Sequence, residues 1–366
     1  MSRRLVAILS VVFLLAASSV MVVFANHPNT GIVEPLYSYP SEGAWNPVKD
    51  AKRNYPNVPL AVIINPANGP GTCCDKNYQA GISQLRSVGV IVLGYVYTSY
   101  CGRPIAQVES DIDTWKTLYQ KNGTVGIAFD EMAYAAEATC TGGLSVQAYY
   151  STLTRYAKSD GFKITLGNPG VETQLGLVGS VDTVNIYEGA GLPTNATLAG
   201  SLGWHLGYDK GNFSFVAYNI ESTPSRADVA GRSAFVGWLY LTPGVFSQNP
   251  WAQPSPYLTT LLSYLNTPSV KLRIQSVSTA NNQQVSGYRV MIYQPSGVAC
   301  SFTCLVRAGF TPLAYNATVG WTYTLNPQSY GACTFDHWDD GTTSLFRTIV
   351  APSLDTTYIA YYSGTC

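Results

Sequence analysis

Asp and Glu together number 21 in a chain of 366 residues, so an acid at the end of an apolar run is informative. Three such acids stand out. Gly126-Ile127-Ala128-Phe129-Asp130-Glu131 closes on two adjacent carboxylates, and Thr183-Val184-Asn185-Ile186-Tyr187-Glu188 closes on a third. Hydrolysis of a glycosidic bond commonly takes two carboxyl groups. One protonates the leaving oxygen, and the other attacks the anomeric carbon or activates water. Asp130, Glu131 and Glu188 are therefore the candidate catalytic residues. Neighbouring side chains on a strand point to opposite faces, so Asp130 and Glu131 cannot both aim along one axis. One is expected to react while the other holds a neighbour or faces a loop. Taken singly, a strand-end acid more often caps a helix or bonds loop amides. The set at matched strand ends favours catalysis.

Other strand ends offer substrate contacts. Asn65-Pro66-Ala67-Asn68-Gly69-Pro70-Gly71 and Asn168-Pro169-Gly170 are alike. Pro stops the strand, Gly permits a tight turn, and Asn offers a donor and an acceptor to sugar hydroxyls. Tyr37, Asn65, Tyr97, Asn168, Tyr187, Asn219 and Trp238 are the candidate substrate-binding residues, with Tyr39, Trp45 and Tyr95 as further aromatics. Strand side chains alternate, so about half of these aromatics are expected in the core. Only three histidines exist. None neighbours a nucleophile elbow, and His205 reads more readily as packed or solvated than as a substrate contact. No metal-ligand spacing and no lysine-bearing phosphate loop occurs, so no metal and no cofactor is expected.

Eight apolar runs must position these residues: Ile32–Tyr37, Leu60–Asn65, Ile91–Tyr97, Val125–Asp130, Lys163–Asn168, Thr183–Glu188, Phe213–Asn219 and Val236–Leu241. Continuous apolar runs suit parallel strands covered on both faces. Between them, Lys76–Val88, Ile105–Tyr119, Val146–Lys158, Val171–Val178 and Pro256–Leu265 read as helices. The alternation predicts an α/β fold. Eight repeats in about 235 residues favour a closed (β/α)8 barrel over a doubly wound open sheet. In a closed barrel the strand C-termini form the active face. From Val270 onward the pattern becomes short alternating runs at Lys271–Val277, Tyr288–Tyr293, Thr322–Leu325 and Thr357–Tyr362, which predicts a small all-β, sandwich-like domain. The expected organisation is a leader over 1–25, a barrel over 26–267 and a β domain over 268–366.

Lys+Arg also number 21, and the balance is neutral. That argues against nucleic acid or an anionic membrane surface as partner. Charged residues make up 11% of the chain, against 26 Tyr and 7 Trp, a balance suited to polar, uncharged ligands such as sugars. Arg3-Arg4 precede an uncharged run from Leu5 to Ala25, the pattern of a cleaved signal peptide. The same run is long enough for an uncleaved anchor. Either way the remainder is expected outside the cytosol, secreted or on the surface.

Eight cysteines divide evenly: Cys73, Cys74, Cys101 and Cys140, then Cys300, Cys304, Cys333 and Cys366. In an exported protein this reads as disulfides rather than a four-Cys zinc site. Cys73 and Cys74 are adjacent, so each is expected to reach Cys101 or Cys140. Sequons at Asn122, Asn195, Asn212 and Asn316 are compatible with glycosylation.

Pro35-Leu36-Tyr37-Ser38-Tyr39-Pro40, Asn65 to Gly71, Gly94-Tyr95-Val96-Tyr97-Thr98, Gly126 to Glu131, Asn168-Pro169-Gly170 and Glu188 resemble the spherulation-specific family 4 (spherulin-4) proteins. The resemblance covers residues 32–266, with motifs in order at six strand ends. It implies a (β/α)8 barrel like that of the family's secreted fungal glycoside hydrolases, which cleave α-1,4-linked N-acetylgalactosamine in galactosaminogalactan. The acids implicated there correspond to Asp130, Glu131 and Glu188. Cys73-Cys74 and the C-terminal β domain depart from the core family pattern. By analogy the expected activity is that of a secreted, endo-acting, retaining glycosidase of an amino-sugar polymer. Retention implies carboxyls about 5–5.5 Å apart. Participation of the substrate N-acetyl group is a further mechanistic option. The competing classes are a non-catalytic glycan-binding wall or surface protein, and a structural spore or envelope protein.

Overall fold

The computed structural model describes residues 30–41, 43–73, 75–135, 137–294 and 304–366. The expected leader, Cys74 and Cys300 lie outside the described residues. Eight parallel strands make a closed barrel: β1 (Gly31–Leu36), β2 (Leu60–Ile64), β3 (Ile91–Tyr97), β4 (Thr124–Asp130), β5 (Ile164–Asn168), β6 (Thr183–Ala190), β7 (Phe213–Tyr218) and β8 (Trp238–Leu241). Each pairs with its sequence neighbour, and β8 returns to β1 through Gly31↔Trp238 and Ile32↔Leu239. That pairing rules out the open sheet.

Among the described residues seven α-helices accompany the barrel: α1 (Asn46–Asn54), α2 (Lys76–Ser87), α3 (Ile105–Tyr119), α4 (Val146–Ser159), α5 (Asn195–Ala199), α6 (Arg226–Ser233) and α7 (Leu258–Leu265). In α3, Val108, Ile112, Trp115 and Tyr119 recur at helical spacing and are all buried. The Trp115 ring lies over Gly94 of β3, where a Cβ would come within 2.4 Å of it. Its Nε1 donates to the Tyr95 carbonyl at 2.9 Å. Any larger residue at 94 would push α3 off the barrel. Asp75 opens α2 by accepting from the Asn77 and Tyr78 N–H groups.

The segment after β5 differs from expectation. Val171–Val178 forms no α-helix, only a 3-10 turn over Leu175–Leu177. Gly176 inside so short a segment, with Gly179 just after it, disfavours helix. Conversely, α1, α5 and α6 escape the periodicity because their apolar faces are small; α6 buries Val229 alone.

The core has two layers. Between strands and helices lies a continuous apolar shell. Inside the barrel, Val33, Ile63, Leu93, Ile164, Leu166 and Trp238 fill the axis. His205 is packed, not solvated: it is 3% exposed, lies between Trp204 and Phe213, and its Nδ1 bonds the Leu198 carbonyl at 2.9 Å.

After the barrel come β9 (Ser269–Ser278), β10 (Gln284–Val285), β11 (Arg289–Tyr293), β12 (Leu305–Phe310), β13 (Leu313–Thr318), β14 (Thr322–Pro327), β15 (Cys333–Trp338), β16 (Arg347–Val350) and β17 (Thr356–Gly364). One sheet runs β10-β9-β17-β15, with β13 also on β9; the other runs β12-β11-β14-β16. Leu272 and Ile274 of β9, Val290 and Ile292 of β11, Leu325 of β14 and Ala360 of β17 share one buried cluster. Alternating burial along β9 and β17 is the period of strands with one covered face.

The disulfides correct the expected pairing. Cys101 bonds Cys140 at 2.06 Å, so neither is available to Cys73 or Cys74. The loops after β3 and β4 are neighbours, which brings those two Cα atoms within 5.1 Å. Cys333 bonds Cys366, and Cys304 is also disulfide-bonded. Among the described residues, no helix is long and apolar enough to cross a membrane.

Candidate active site

Strands β4 to β7 carry a row of linked polar side chains that ends at the C-termini of β4 and β5. Asn168, the last residue of β5, donates from Nδ2 to Asp130 Oδ1 at 2.8 Å and to Glu188 Oε2 at 2.7 Å. Both hydrogens of the amide are thereby used. The two carboxylate oxygens can be no further apart than the sum of those distances, 5.5 Å. Asn168 Oδ1 accepts from Asn185 Nδ2 at 2.7 Å, and Asn185 Oδ1 accepts from Ser214 Oγ at 3.2 Å. The amide of Asn168 is therefore oriented from below by β6 and β7.

Register explains the row. Asp130 and Asn168 are Cα partners across β4 and β5. Asn185 and Ser214 are partners across β6 and β7. Asn185 and Glu188 are three positions apart, which in a regular strand puts them on opposite faces. The β6–β7 register shifts between these two residues. The irregularity lets both line one cavity, together with Tyr37, Tyr95, Asp130, Asn168 and Trp251.

Electrostatics separate the acids. Burial pushes Glu188 above the usual carboxyl range; the Asn168 hydrogen bond pulls it down, and the negative charge of Asp130 adds to the rise. Tyr95 hydrogen-bonds Asp130, and burial followed by that carboxylate's charge holds the Tyr95 hydroxyl protonated far above ordinary phenol. Tyr37 meets Tyr95 edge to face, ring centres 5.8 Å apart. It too is pushed up, first by burial and then by Asp130. The cavity thus holds two acids against one amide, with phenol donors on the far side.

Glu131 sits apart from this pair. Its φ is +51°, and its carbonyl accepts from the Tyr100 N–H at 2.7 Å and from Thr98 Oγ1 at 2.8 Å. It lines the open cleft above the cavity rather than the cavity itself.

Of the predicted binding residues, Tyr37 and Asn168 reach the cavity. Asn65 instead accepts the Gly69 N–H at 2.9 Å and shapes its turn. Tyr97 lies under the Arg103 guanidinium, 4.0 Å from ring centre. The Tyr187 hydroxyl donates to the carbonyls of Ala190 and Gly191, clamping the end of β6. Asn219 takes a turn conformation at φ +54° and donates its N–H to the Gly244 carbonyl. Trp238 is fully buried on the barrel axis, at the start of β8 and far from its C-terminal mouth. Asn185, Ser214, Tyr218, Phe246 and Trp251 are cavity or cleft residues that sequence reasoning missed. Asn185 and Ser214 had a signal, each a polar residue inside an apolar strand. Among the described residues no cluster of three His, Cys, Asp or Glu side chains fits a metal ion.

Residues 31–265 match the family described as spherulation-specific family 4. Spherulin-4 of Physarum polycephalum is 32% identical over 224 residues, which are 58% of this chain and 63% of that protein. The chain thus spans less than two thirds of that relative's length. The crystal structure of Aspergillus clavatus Sph3 in complex with GalNAc matches with a TM-score of 0.56 at 24% identity, covering 66% of this chain and 98% of that chain. At that identity the likeness speaks for a shared barrel fold. The family match extends over the whole barrel, and the chain belongs to spherulation-specific family 4.

Proposed function

We propose that this chain is an exported, endo-acting glycoside hydrolase of an amino-sugar polysaccharide, with α-1,4-linked N-acetylgalactosamine as the leading substrate. One observation carries the reading: the Asn168 amide nitrogen bonds Asp130 and Glu188 together, keeping their oxygens within 5.5 Å. A close approach of this kind suits a retaining double displacement. Glu188, its pKa raised by burial and by Asp130, is assigned the role of general acid. Asp130, oriented by Asn168 and Tyr95, is the nucleophile. Attack of an Asp130 oxygen on the anomeric carbon forms a glycosyl ester while the Glu188 proton passes to the departing oxygen. Glu188 then takes a proton from water, which cleaves the ester. In an α-linked 2-acetamido sugar the acetamide and the leaving group share a ring face. The acetamide cannot attack from behind, so the nucleophile falls to a side chain.

The amino-sugar assignment is supported by the likeness to a barrel crystallised with GalNAc. The disulfides support an oxidising compartment. The test is incubation of the purified protein with galactosaminogalactan, followed by product analysis. Wild type should release oligosaccharides whose new reducing ends are first α, read by proton NMR. Glu188→Gln and Asp130→Asn should release none. Retention of polymer without any product would point instead to a glycan-binding protein, and β-configured first products would exclude the double displacement.

A further inference from the structure

The cleft above the carboxylates presents two exposed aromatic rings. Tyr100, on the loop after β3, is 60% exposed, and Phe246, on the loop after β8, is 69% exposed. Both line the same cleft as Asp130 and Glu188, and they come from loops whose strands, β3 and β8, are separated by β1 and β2 around the barrel. A single exposed ring is ordinary on a protein surface. Here each is held in place by its own support.

Ser99, Tyr100 and Cys101 are successive non-glycine residues with φ of +51°, +53° and +61°. L-residues seldom adopt this region, and runs of three are kept only where the surroundings over-determine them. The surroundings do so here. The Tyr100 N–H donates to the Glu131 carbonyl at 2.7 Å, the Gly102 N–H returns to Ser99, and Cys101 is tied to Cys140. On the other side, the Phe246 ring lies against Tyr218 at 5.7 Å, and Tyr218 in turn meets Trp251 edge to face at 6.0 Å. Trp251 borders the carboxylate cavity itself.

We infer that Tyr100 and Phe246 are sugar-stacking platforms at the two ends of one cleft, gripping pyranose units on either side of the bond that is cut. This deepens the proposed hydrolase reading and rests on it. The C–H faces of pyranose rings pack on aromatic rings, and rings fixed before binding lose little freedom when occupied. The Cys101–Cys140 bond then acts as a brace that aims Tyr100 rather than as a general staple. Preference for longer oligomers follows, because a longer chain can occupy both rings at once.

The test uses the full chain and α-1,4-linked N-acetylgalactosamine oligomers of two to eight units. Binding is measured by calorimetry in a Glu188→Gln background, and cleavage in the wild-type background. Tyr100→Ala and Phe246→Ala should each weaken octamer binding about tenfold, with a loss that grows with chain length. Tyr100→Trp should restore most of it, and Cys101→Ser with Cys140→Ser should mimic Tyr100→Ala, with folding checked by circular dichroism. Octamer binding and cleavage unchanged in both alanine variants would overturn the platforms and leave the hydrolase standing. An octamer bound with this dependence but never cut by wild type would overturn the hydrolase and leave the platforms standing.

Discussion

Asp130 and Glu188 accept hydrogen bonds from one nitrogen atom, Nδ2 of Asn168. An amide shared in this way fixes the distance between two acids and the direction each faces. It also lies on the middle strand of three, so a change at β5 is felt on β4 and β6 together.

Asn168→Ala should therefore lower kcat far more than it raises KM. Each lost bond is to an acidic group and is worth about 1.5–3 kcal/mol, so a fall of at least about 100-fold is expected. Steady-state kinetics on the oligosaccharide decide it. A kcat within twofold of wild type would show that the acids hold their own positions.

Glu188 titrates above the ordinary carboxyl range partly because Asp130 is charged beside it. Asp130→Asn removes that charge, so the Glu188 pKa should fall, by linkage of neighbouring like charges. Carbon-13 NMR of labelled glutamate follows the group directly, without relying on activity. A pKa unmoved or raised in the variant would contradict the coupling. In the wild type, activity should decline on the alkaline side as Glu188 loses its proton.

Glu34 of β1 is fully buried, and its carboxyl is pushed up from its ordinary 4.5 to about 8. Burial is the cause, offset in part by the Ser255 N–H donated to it at 2.8 Å. Its second oxygen has no hydrogen-bond partner among the described residues. The folded state holds a proton that the unfolded chain releases, so stability falls as pH rises from about 4.5 to about 8. The total is on the order of 5 kcal/mol. Glu34→Gln should flatten that part of the profile, as measured by urea unfolding at pH 5, 6.5 and 8. A wild type equally stable at all three would refute it.

Trp238 was a candidate sugar contact and is instead the floor of the barrel. Trp238→Ala should leave a cavity on the axis and cost about 3–5 kcal/mol. Thermal unfolding reads this directly. A variant with unchanged Tm and weakened glycan affinity would restore the binding role.

Much of this protein is legible as a string of residues. Parallel strands covered on both faces demand continuous apolar runs, so β1 to β8 announce themselves, as do helices such as α3 with a broad buried face. Strand ends are chemical landmarks in a barrel, which is why Asp130, Asn168 and Glu188 stand out before any coordinates. Asp130 and Glu131 part because the strand ends at Asp130 and Glu131 takes a turn conformation at φ +51°, which leaves Glu131 in the outer cleft. Other features depend on neighbours distant in the chain. The β6 irregularity that turns both Asn185 and Glu188 inward is a matter of pairing with β7. Trp238 and Trp251 differ in height along the barrel axis, a coordinate no local pattern encodes. Cys101 finds Cys140 because two loops are adjacent in space, not because of spacing in sequence. Residue types and their period select the scaffold through local burial. Which side chains meet at the mouth is settled by closure of the sheet, where register and pleat act across strands far apart along the backbone.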